Sequence, residues 1–507
     1  MAKKSKKKNT ITIVLLLLLV VTMGAAYFLL VNKDDSDDTS DTDTETEDTS
    51  VELSAYETDQ VSSLTFDNGT LAMTLLYDGE NWTDEADPDF PVYKAKANTM
   101  VKAVANLTAT QQVTDAPEDI AEYGLDNPAL TVQIGLNDGT SFGLKLGDKL
   151  VTDEGYYAMA EGDPAVYVVA KSVYNSFNIE LSDLTQQEET PSFTTDQILA
   201  LKIESEEYGN FEILYDTENE YDYSENGMYP WTIFQPYKVP VSGDSTNITT
   251  LLENYTSFSF SECVNYNAQD LSVYGLEEPS AVLTMTYIPE TEETEESEEE
   301  TEDAAEEVEV DPEVYTLYFG DVNESGYCYV RQNDSNAVYT MSQSNVETLL
   351  EVDAFAQVNI LPALLYITAC DSIEIELEGE KYEAVIEHIT VTDEDGEEEE
   401  EEVFYFQGIE ATDETAFRTF YQQLIGFTIE TELPEDWSDE GLNPFLTMVF
   451  HKNTGKYREV TIEFLPYNDN FYAVRVNGTA TFAADARDIN SLKEVIRTYN
   501  PAEAEEE

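Results

Sequence analysis

The sequence predicts an α+β protein: an amino-terminal transmembrane helix followed by three related units of antiparallel or mixed β-sheet with packed helices. Three observations carry this. A Gly-Leu-x-x-Pro-like phrase occurs three times, as Tyr123-Gly124-Leu125-Asp126-Asn127-Pro128, Tyr274-Gly275-Leu276-Glu277-Glu278-Pro279 and the shorter Gly441-Leu442-Asn443-Pro444. Each copy is preceded by a helix-sized segment and followed by paired aromatic strands, the mark of a repeat architecture. Ahead of all three lies an uncharged apolar run of 21 residues, Ile11 to Val31.

At 1.5 Å per residue that run spans roughly 31 Å, which matches a bilayer hydrocarbon core of about 30 Å. Lys3, Lys4, Lys6, Lys7 and Lys8 precede it, while Lys33 and then Asp34, Asp35, Asp37 and Asp38 follow. This asymmetry predicts a cytoplasmic amino terminus, a single-pass anchor in the cell membrane and an extracytoplasmic body. A cleaved signal peptide is the alternative, because Gly24-Ala25-Ala26 offers small residues for processing. The expected order is a basic tail at 1–10, the membrane helix at 11–31, with membrane lipid as its partner, and an acidic linker at 32–50.

Unit 1 is expected over 51–184. Val61 to Phe66 and Leu71 to Tyr77 form a hairpin across Asp67-Asn68-Gly69. Ala97, Met100, Val101, Val104 and Leu107 fall at helical spacing. Gln111 to Thr114 is extended, and Leu130 to Leu136 pairs with Phe142 to Leu146 before Gly147-Asp148. In the repeated phrase, Gly permits the left-handed backbone that ends a helical turn, Leu tucks inward, and Pro blocks continuation. The phrase is structural punctuation.

Unit 2, expected over 192–358, repeats the order with Ile198 to Glu204, Phe211 to Tyr215, Trp231, Pro240 and the stripe Ile248, Leu251, Leu252 and Tyr255. Its second hairpin ends at Gly320-Asp321, and the acidic run 290–313 replaces the tip as a solvated loop. Unit 3, expected over 370–499, is diverged, carries an acidic loop at 393–402, and precedes an acidic tail at 500–507. Behind each phrase Gly155-Tyr156-Tyr157-Ala158, Gly326-Tyr327-Cys328-Tyr329 and Asn470-Phe471-Tyr472-Ala473 align, with Ala158 also set against Cys328. Ala165-Val166-Tyr167, Ala337-Val338-Tyr339 and Ala480-Thr481-Phe482 follow, then helices near Ser172 to Phe177, Ser344 to Val352 and Asp488 to Tyr499.

The net charge is −82, from 106 Asp plus Glu against 24 Lys plus Arg. Runs 34–48, 290–313, 393–402 and 503–507 hold 37 of the carboxylates, leaving 69 elsewhere, so the folded part is itself acidic. Nucleic acid is excluded as a partner, since binding it needs cationic side chains to neutralise phosphate. Acidic runs of this kind stay solvated, with weak divalent-cation binding as the sharper alternative. Cys263, Cys328 and Cys370 are too few and scattered for a disulfide framework and are expected as small buried hydrophobes. Low cysteine use outside the membrane suits a bacterial surface better than a eukaryotic secretory product, and the sequons at Asn81, Asn106 and Asn254 would then be incidental.

No constellation points to an enzyme. His388 and His451 stand in separate strand-like stretches, without a Gly-x-Ser-x-Gly elbow, His-Glu-x-x-His or Cys-x-x-Cys. Asp393-Glu394-Asp395-Gly396 is only a fragment of an EF-hand loop, and no Walker A loop is present. No catalytic, cofactor-binding or metal-ligating residue is assigned, and an extracytoplasmic hydrolase is the remote alternative. Trp82, Tyr156, Tyr157, Trp231, Tyr327 and Tyr329 are expected in sheet packing, with a glycan or peptide groove as the rival use.

Taken in order, Trp82, Pro91, Tyr123 to Leu125, Pro128, Gly147, Tyr157, Ala158, Val166 and Tyr167 resemble the repeat of a bacterial family, the domain of unknown function 4340 family. Unit 3 departs from it, lacking Tyr before Gly441 and a Val-Tyr pair. The resemblance implies a membrane-anchored companion of an ABC-type transporter of the gliding-motility-associated kind, with a permease and an ATPase as partner subunits. It brings no catalytic residues. The alternative is a cell-envelope module that binds glycan or peptide independently of transport.

Overall fold

The computed structural model describes residues 49–216, 218, 220, 221, 223, 230–290, 310–392 and 398–502. The basic tail, the apolar run 11–31, the linker up to residue 48, most of the run 290–313, residues 393–397 and the acidic tail from 503 lie outside the described residues. Among the described residues no helix is long and apolar enough to cross a membrane. They form an α+β structure of three large antiparallel sheets, one two-stranded sheet and seven α-helices.

Alternating side chains define the strands. In unit 1 these are β1 (Val51–Ala55), β2 (Val61–Asp67), β3 (Ala72–Tyr77), β4 (Trp82–Asp84), β5 (Asn106–Ala109), β6 (Gln111–Thr114), β7 (Leu130–Leu136), β8 (Ser141–Lys149), β9 (Gly155–Ala160) and β10 (Val166–Ala170). Unit 2 contributes β11 (Ile198–Ser205), β12 (Phe211–Tyr215), β13 (Trp231–Gln235), β14 (Val241–Ser242), β15 (Glu262–Asn265), β16 (Ala281–Tyr287), β17 (Glu313–Val322), β18 (Tyr327–Gln332) and β19 (Val338–Ser342). Unit 3 has β20 (Cys370–Leu377), β21 (Glu380–Thr392), β22 (Glu398–Phe406), β23 (Ile409–Glu410), β24 (Thr431–Glu432), β25 (Leu446–Lys452), β26 (Glu459–Pro466), β27 (Phe471–Val476) and β28 (Thr479–Asp485).

The three sheets have one order. It is β4-β3-β2-β7-β8-β9-β10-β6, then β14-β13-β12-β11-β16-β17-β18-β19-β15, then β23-β22-β21-β20-β25-β26-β27-β28-β24. Within each, the first strands step outward to an early edge, and a helix (Lys94–Ala105, Ser245–Leu252 or Glu414–Ile425) leads to the late edge. The chain then returns to pair beside its own first strand, as β2 with β7, β11 with β16 and β20 with β25. All pairings between these strands are antiparallel, which settles the antiparallel-or-mixed alternative. Even the irregularities repeat: register shifts occur at Val61/Ser63, Ile198/Ala200 and Cys370/Ser372.

One face of each sheet carries the core. β7 alternates as Leu130, Val132, Ile134 and Leu136 inward with Thr131 and Gln133 outward, as a sheet with one covered face requires. Ala97, Met100, Val101 and Val104 of the unit 1 helix lie at 0–1% exposure against that face. Ile248, Leu252 and Tyr255 repeat the arrangement in unit 2. In unit 3 the helix Glu414–Ile425 buries Phe417, Phe420, Tyr421 and Leu424.

Two expectations change. The run 393–402 is not wholly a loop, because Glu398 to Glu402 belong to β22 and pair residue by residue with Thr392 to His388. The β-branched Ile389, Thr390, Val391 and Thr392 of the partner strand supply the extended preference that the glutamates lack. The alignment of the aromatic strands is also corrected by one residue in unit 1. Tyr156 pairs with Lys149 just as Cys328 pairs with Val322 and Tyr472 with Pro466, so Tyr156 matches Cys328 and Tyr472, and Ala158 matches Val330 and Val474. A one-residue slip reverses the face of every side chain, and the contacts of Tyr157 confirm the corrected register.

Candidate functional site

In units 1 and 2 the Tyr-Gly-Leu phrase meets the Gly-Asp and aromatic segments of its own unit. Ile120–Tyr123 and Ser272–Tyr274 are single 3-10 turns, ended by Gly124 and Gly275 with φ of +68° and +69°. Across from them Gly147 and Gly320 sit in bulges of β8 and β17, where register shifts between Leu146 and Lys149 and between Phe319 and Val322. A methyl group on either glycine would come within 2.1 Å of the carbonyl oxygen of Tyr123 or Tyr274. Tyr123 packs edge-on against Tyr157 at 5.1 Å, and Tyr274 against Tyr329 at 5.0 Å. Leu125 and Leu276 are 1% and 2% exposed. Leu276 joins a satellite cluster with Ala268 and Val338 on the sheet face opposite the main core.

Unit 3 keeps the left-handed glycine, Gly441 at φ +78°, but has lost the contacts that made the lock. Glu440 replaces the first tyrosine, Ala473 the second, and Leu465 the glycine, and β26 pairs with β27 through this point without a bulge. Leu442 is 36% exposed. In its place Arg475 bonds Glu463 at 2.6 Å and Asp439 at 2.7 Å, tying the same loop to the sheet by charge. The hydrogen bonds it donates to these carboxylates, Glu463 first, raise the guanidinium pKa and keep it cationic.

The residues with catalytic potential are scattered and engaged. His388 lies 3.1 Å from the Cys370 carbonyl oxygen and from Asn453 Nδ2, whereas His451 on another strand faces Glu374 at 3.3 Å. Burial raises all three cysteine thiols, Cys263 and Cys328 to about 11. They are therefore protonated at neutral pH and poor nucleophiles. Among the described residues no group of three or more His, Cys, Asp or Glu is placed to hold a metal ion, and Asp393 to Gly396 lie outside the described residues. The aromatic set does not share a groove. Trp82 stacks on Tyr77, Tyr156 on Tyr174, Trp231 packs on Tyr215, and only Tyr327 is exposed.

Successive units are joined in one manner. After its last helix, each chain segment passes its own early edge: Gln186 N–H donates to Pro91 O, Asn359 N–H to Ser242 O, and in unit 3 the roles are exchanged, with the edge residue Thr412 donating its N–H to Pro501 O. The first two segments then enter the next unit, where Phe193 N–H donates to Thr256 O and Ile429 N–H to Ile360 O. In unit 1, β1 takes the linker's place beside β5, and Tyr56 N–H donates to Ala105 O as Phe193 does to Thr256. Thr58-Asp59-Gln60 and Thr195-Asp196-Gln197 follow as matching 3-10 turns, a repeated tripeptide that the sequence reading passed over.

The two junctions differ in what fills them. At the first, Tyr266 packs edge-on against Phe90 at 5.3 Å and hydrogen-bonds Asp87, and Glu188 lies across the end of the unit 2 sheet. Glu188 N–H donates to Tyr339 Oη, while its carboxylate accepts from Gln332 Nε2 at 2.9 Å and Ser335 Oγ at 2.7 Å. At the second junction Phe482 stands at the place of Tyr339, and Val476 at that of Gln332. Phe482 packs on Tyr237 at 5.2 Å and Phe355 at 5.8 Å, and the cores of units 2 and 3 run together. Burial, then a 2.8 Å hydrogen bond to Glu432, raises the Tyr237 phenol well above its ordinary value.

Beside Phe482 a cavity of about 240 Å³ opens between the early edge of unit 2 and the last hairpin of unit 3. Tyr221, Val241, Ile429, Val476, Thr481 and Phe482 are among its walls, and none of its lining residues among the described residues is charged. No sequence motif marked these residues. The only trace was the change from Ala-Val-Tyr to Ala480-Thr481-Phe482.

Fold and site together define a tandem array of antiparallel α+β units with an uncharged cavity at one junction. The chain belongs to the family described as domain of unknown function (DUF4340), whose model matches residues 82–226 and 231–443. The two matches open on Trp82 and Trp231, the first residues of β4 and β13, so the family model finds the repeat that the sheets display. No curated protein and no solved structure matches the chain.

Proposed function

We propose that this protein is a membrane-anchored, extracytoplasmic repeat protein that acts without catalysis as an accessory or substrate-engaging component of an ABC-type transport system. The second junction carries the binding part of this reading. It is the place where two copies of one fold meet around an uncharged cavity, and such concave, mainly apolar sites are where ligands are ordinarily held. The lysine-flanked run of 21 uncharged residues supports the anchor, and its flanking charges support an outward-facing body. The buried, protonated thiols and the separated imidazoles favour binding over chemistry.

Mild-detergent purification of the full chain from its native membrane tests the transport role. Recovery of a multi-spanning permease with a nucleotide-binding ATPase is expected, and repeated recovery of the chain alone would count decisively against it. Single cysteines placed at Ser5 and Ser50 should label with an impermeant maleimide only at Ser50; the reverse pattern overturns the orientation. The second reading, an envelope module for glycan or peptide, draws on the aromatic walls Tyr221, Tyr457 and Phe482. Binding to wall fragments without a permease in the complex would favour it.

A further inference from the structure

We infer that the cavity at the second junction is a binding site for an uncharged amphipathic small molecule, one with a planar or branched apolar body and a neutral hydrogen-bonding group. This deepens the reading of the chain as a binding protein and rests on it, but does not depend on which transporter or envelope partner the chain serves. The internal repeat supplies the main argument. At the first junction the equivalent sheet end is polar: Tyr339 and Gln332 are buried at 1% and 5% exposure, and Glu188 satisfies them. At the second, both polar side chains have become apolar, as Phe482 and Val476, and a cavity lies beside them, whereas the hollow of the first junction sits apart from the Glu188 clamp, against β15, and has Glu180 and Glu262 in its walls.

The walls set the chemistry of the occupant. Tyr221, Tyr457 and Phe482 present aromatic surface, and Val241, Ile429 and Val476 present branched aliphatic surface. Ser242, Thr479 and Thr481 also line the space, and their hydroxyls have no protein hydrogen-bond partner among the described residues. A ligand with a neutral polar group can therefore be both packed and hydrogen-bonded. An anion is disfavoured twice over. Its charge would lose water without gaining a cationic partner, and a chain of net charge −82 repels it on approach. A cation meets the same desolvation cost inside, although acidic outer surfaces attract it.

Indole, indole-3-acetate and tryptamine share one aromatic body and differ in charge, so together they test the assignment. The full-length chain, held in nanodiscs of zwitterionic phospholipid, is followed by hydrogen–deuterium exchange with and without each probe. Indole is expected to slow exchange severalfold in peptides covering 239–243 and 471–485, whereas indole-3-acetate at equal concentration leaves them unchanged. Tryptamine should act only on acidic surfaces, and 0.5 M salt, which on the order of halves the screening length of 0.15 M, should abolish that effect.

Val476→Phe fills the cavity and should remove the indole effect. Should that variant melt lower than the parent chain, Val476→Gln, which introduces the side chain unit 2 has at this position, is expected to weaken the effect as well. Indole protection that survives both substitutions, spreads equally over the three units, or is matched by indole-3-acetate overturns the proposal. Permease recovery is read separately. Indole protection without a permease sinks the transport reading alone, and a permease without indole protection sinks the ligand site alone.

Discussion

Units 2 and 3 share a nine-stranded order and the same bulge in their first strand, but they hold their late hairpins by different forces. Unit 2 uses close backbone approach and aromatic contact, through Gly320, Tyr274 and Tyr329. Unit 3 has a buried leucine in the bulge position and secures the loop with the ion pairs of Arg475. The two units also differ at the end facing the preceding unit, where one has a polar clamp and the other an apolar cavity. The pairing pattern is thus the conserved quantity within the chain. Side-chain chemistry at its margins is free to vary, because antiparallel backbone bonds do not depend on it.

The sharpest way to break this comparison is at the bulge. Gly320→Ala puts a methyl group against the Tyr274 carbonyl, and a loss of about 4 kcal/mol is expected in denaturant melts. The same position in unit 3 is filled by Leu465 at 0% exposure, so Leu465→Ala should cost about 2–3 kcal/mol from the opposite cause, a cavity. An unchanged midpoint for Gly320→Ala would remove the lock as a structural element.

Next in size is the second junction. Phe482→Ala strips the ring that meets Tyr237 and Phe355 and should cost about 3 kcal/mol, with exchange accelerating in both units 2 and 3. Unit 1, which has its own core, should be unaffected. Exchange that accelerates in unit 3 alone would show that the fused core is not mechanically shared.

A pH effect belongs to unit 2. Burial raises the Cys328 thiol to about 11, so the folded protein keeps it protonated where the unfolded chain, near 9, ionises. Its contribution is complete below pH 9 and is lost as pH rises through about 11. Subtracting the pH profile of Cys328→Ala should expose that slope, and parallel profiles would refute it. Iodoacetamide should likewise leave the folded thiol unmodified at pH 8.

The smallest expected effect is at the first junction. Glu188→Ala leaves Gln332 and Ser335 short of an acceptor, but Glu188 itself is exposed, so about 1 kcal/mol is expected, together with faster exchange between units 1 and 2. A loss as large as that of Phe482→Ala would erase the distinction between the junctions.

Much of this was legible beforehand, for identifiable reasons. Gly124 and Gly275 announce helix stops through their backbone preference, and Asp67-Asn68-Gly69 announces a hairpin through turn chemistry, so these local elements need no tertiary information. Thr58-Asp59-Gln60 and Thr195-Asp196-Gln197 were equally legible but short enough to be missed. The candidate cavity was not legible. Its walls come from residues as far apart as Tyr221 and Phe482, none bearing a distinctive functional group.

By itself the sequence determined the three-fold repeat, the main strands and helices of units 1 and 2, and the diverged state of unit 3, because hydrophobic period, turn residues and caps act over a few neighbouring residues, whereas the unit 3 helix Glu414–Ile425 was not read from it. Only the tertiary structure decided the register of Tyr156 and Tyr157, the strand character of Glu398 to Glu402, and the head-to-tail joining of the units. The bulges at Gly147 and Gly320 consume one residue of register through contact with a distant turn. The cavity beside Phe482 exists because two edges more than two hundred residues apart pack without filling the space between them.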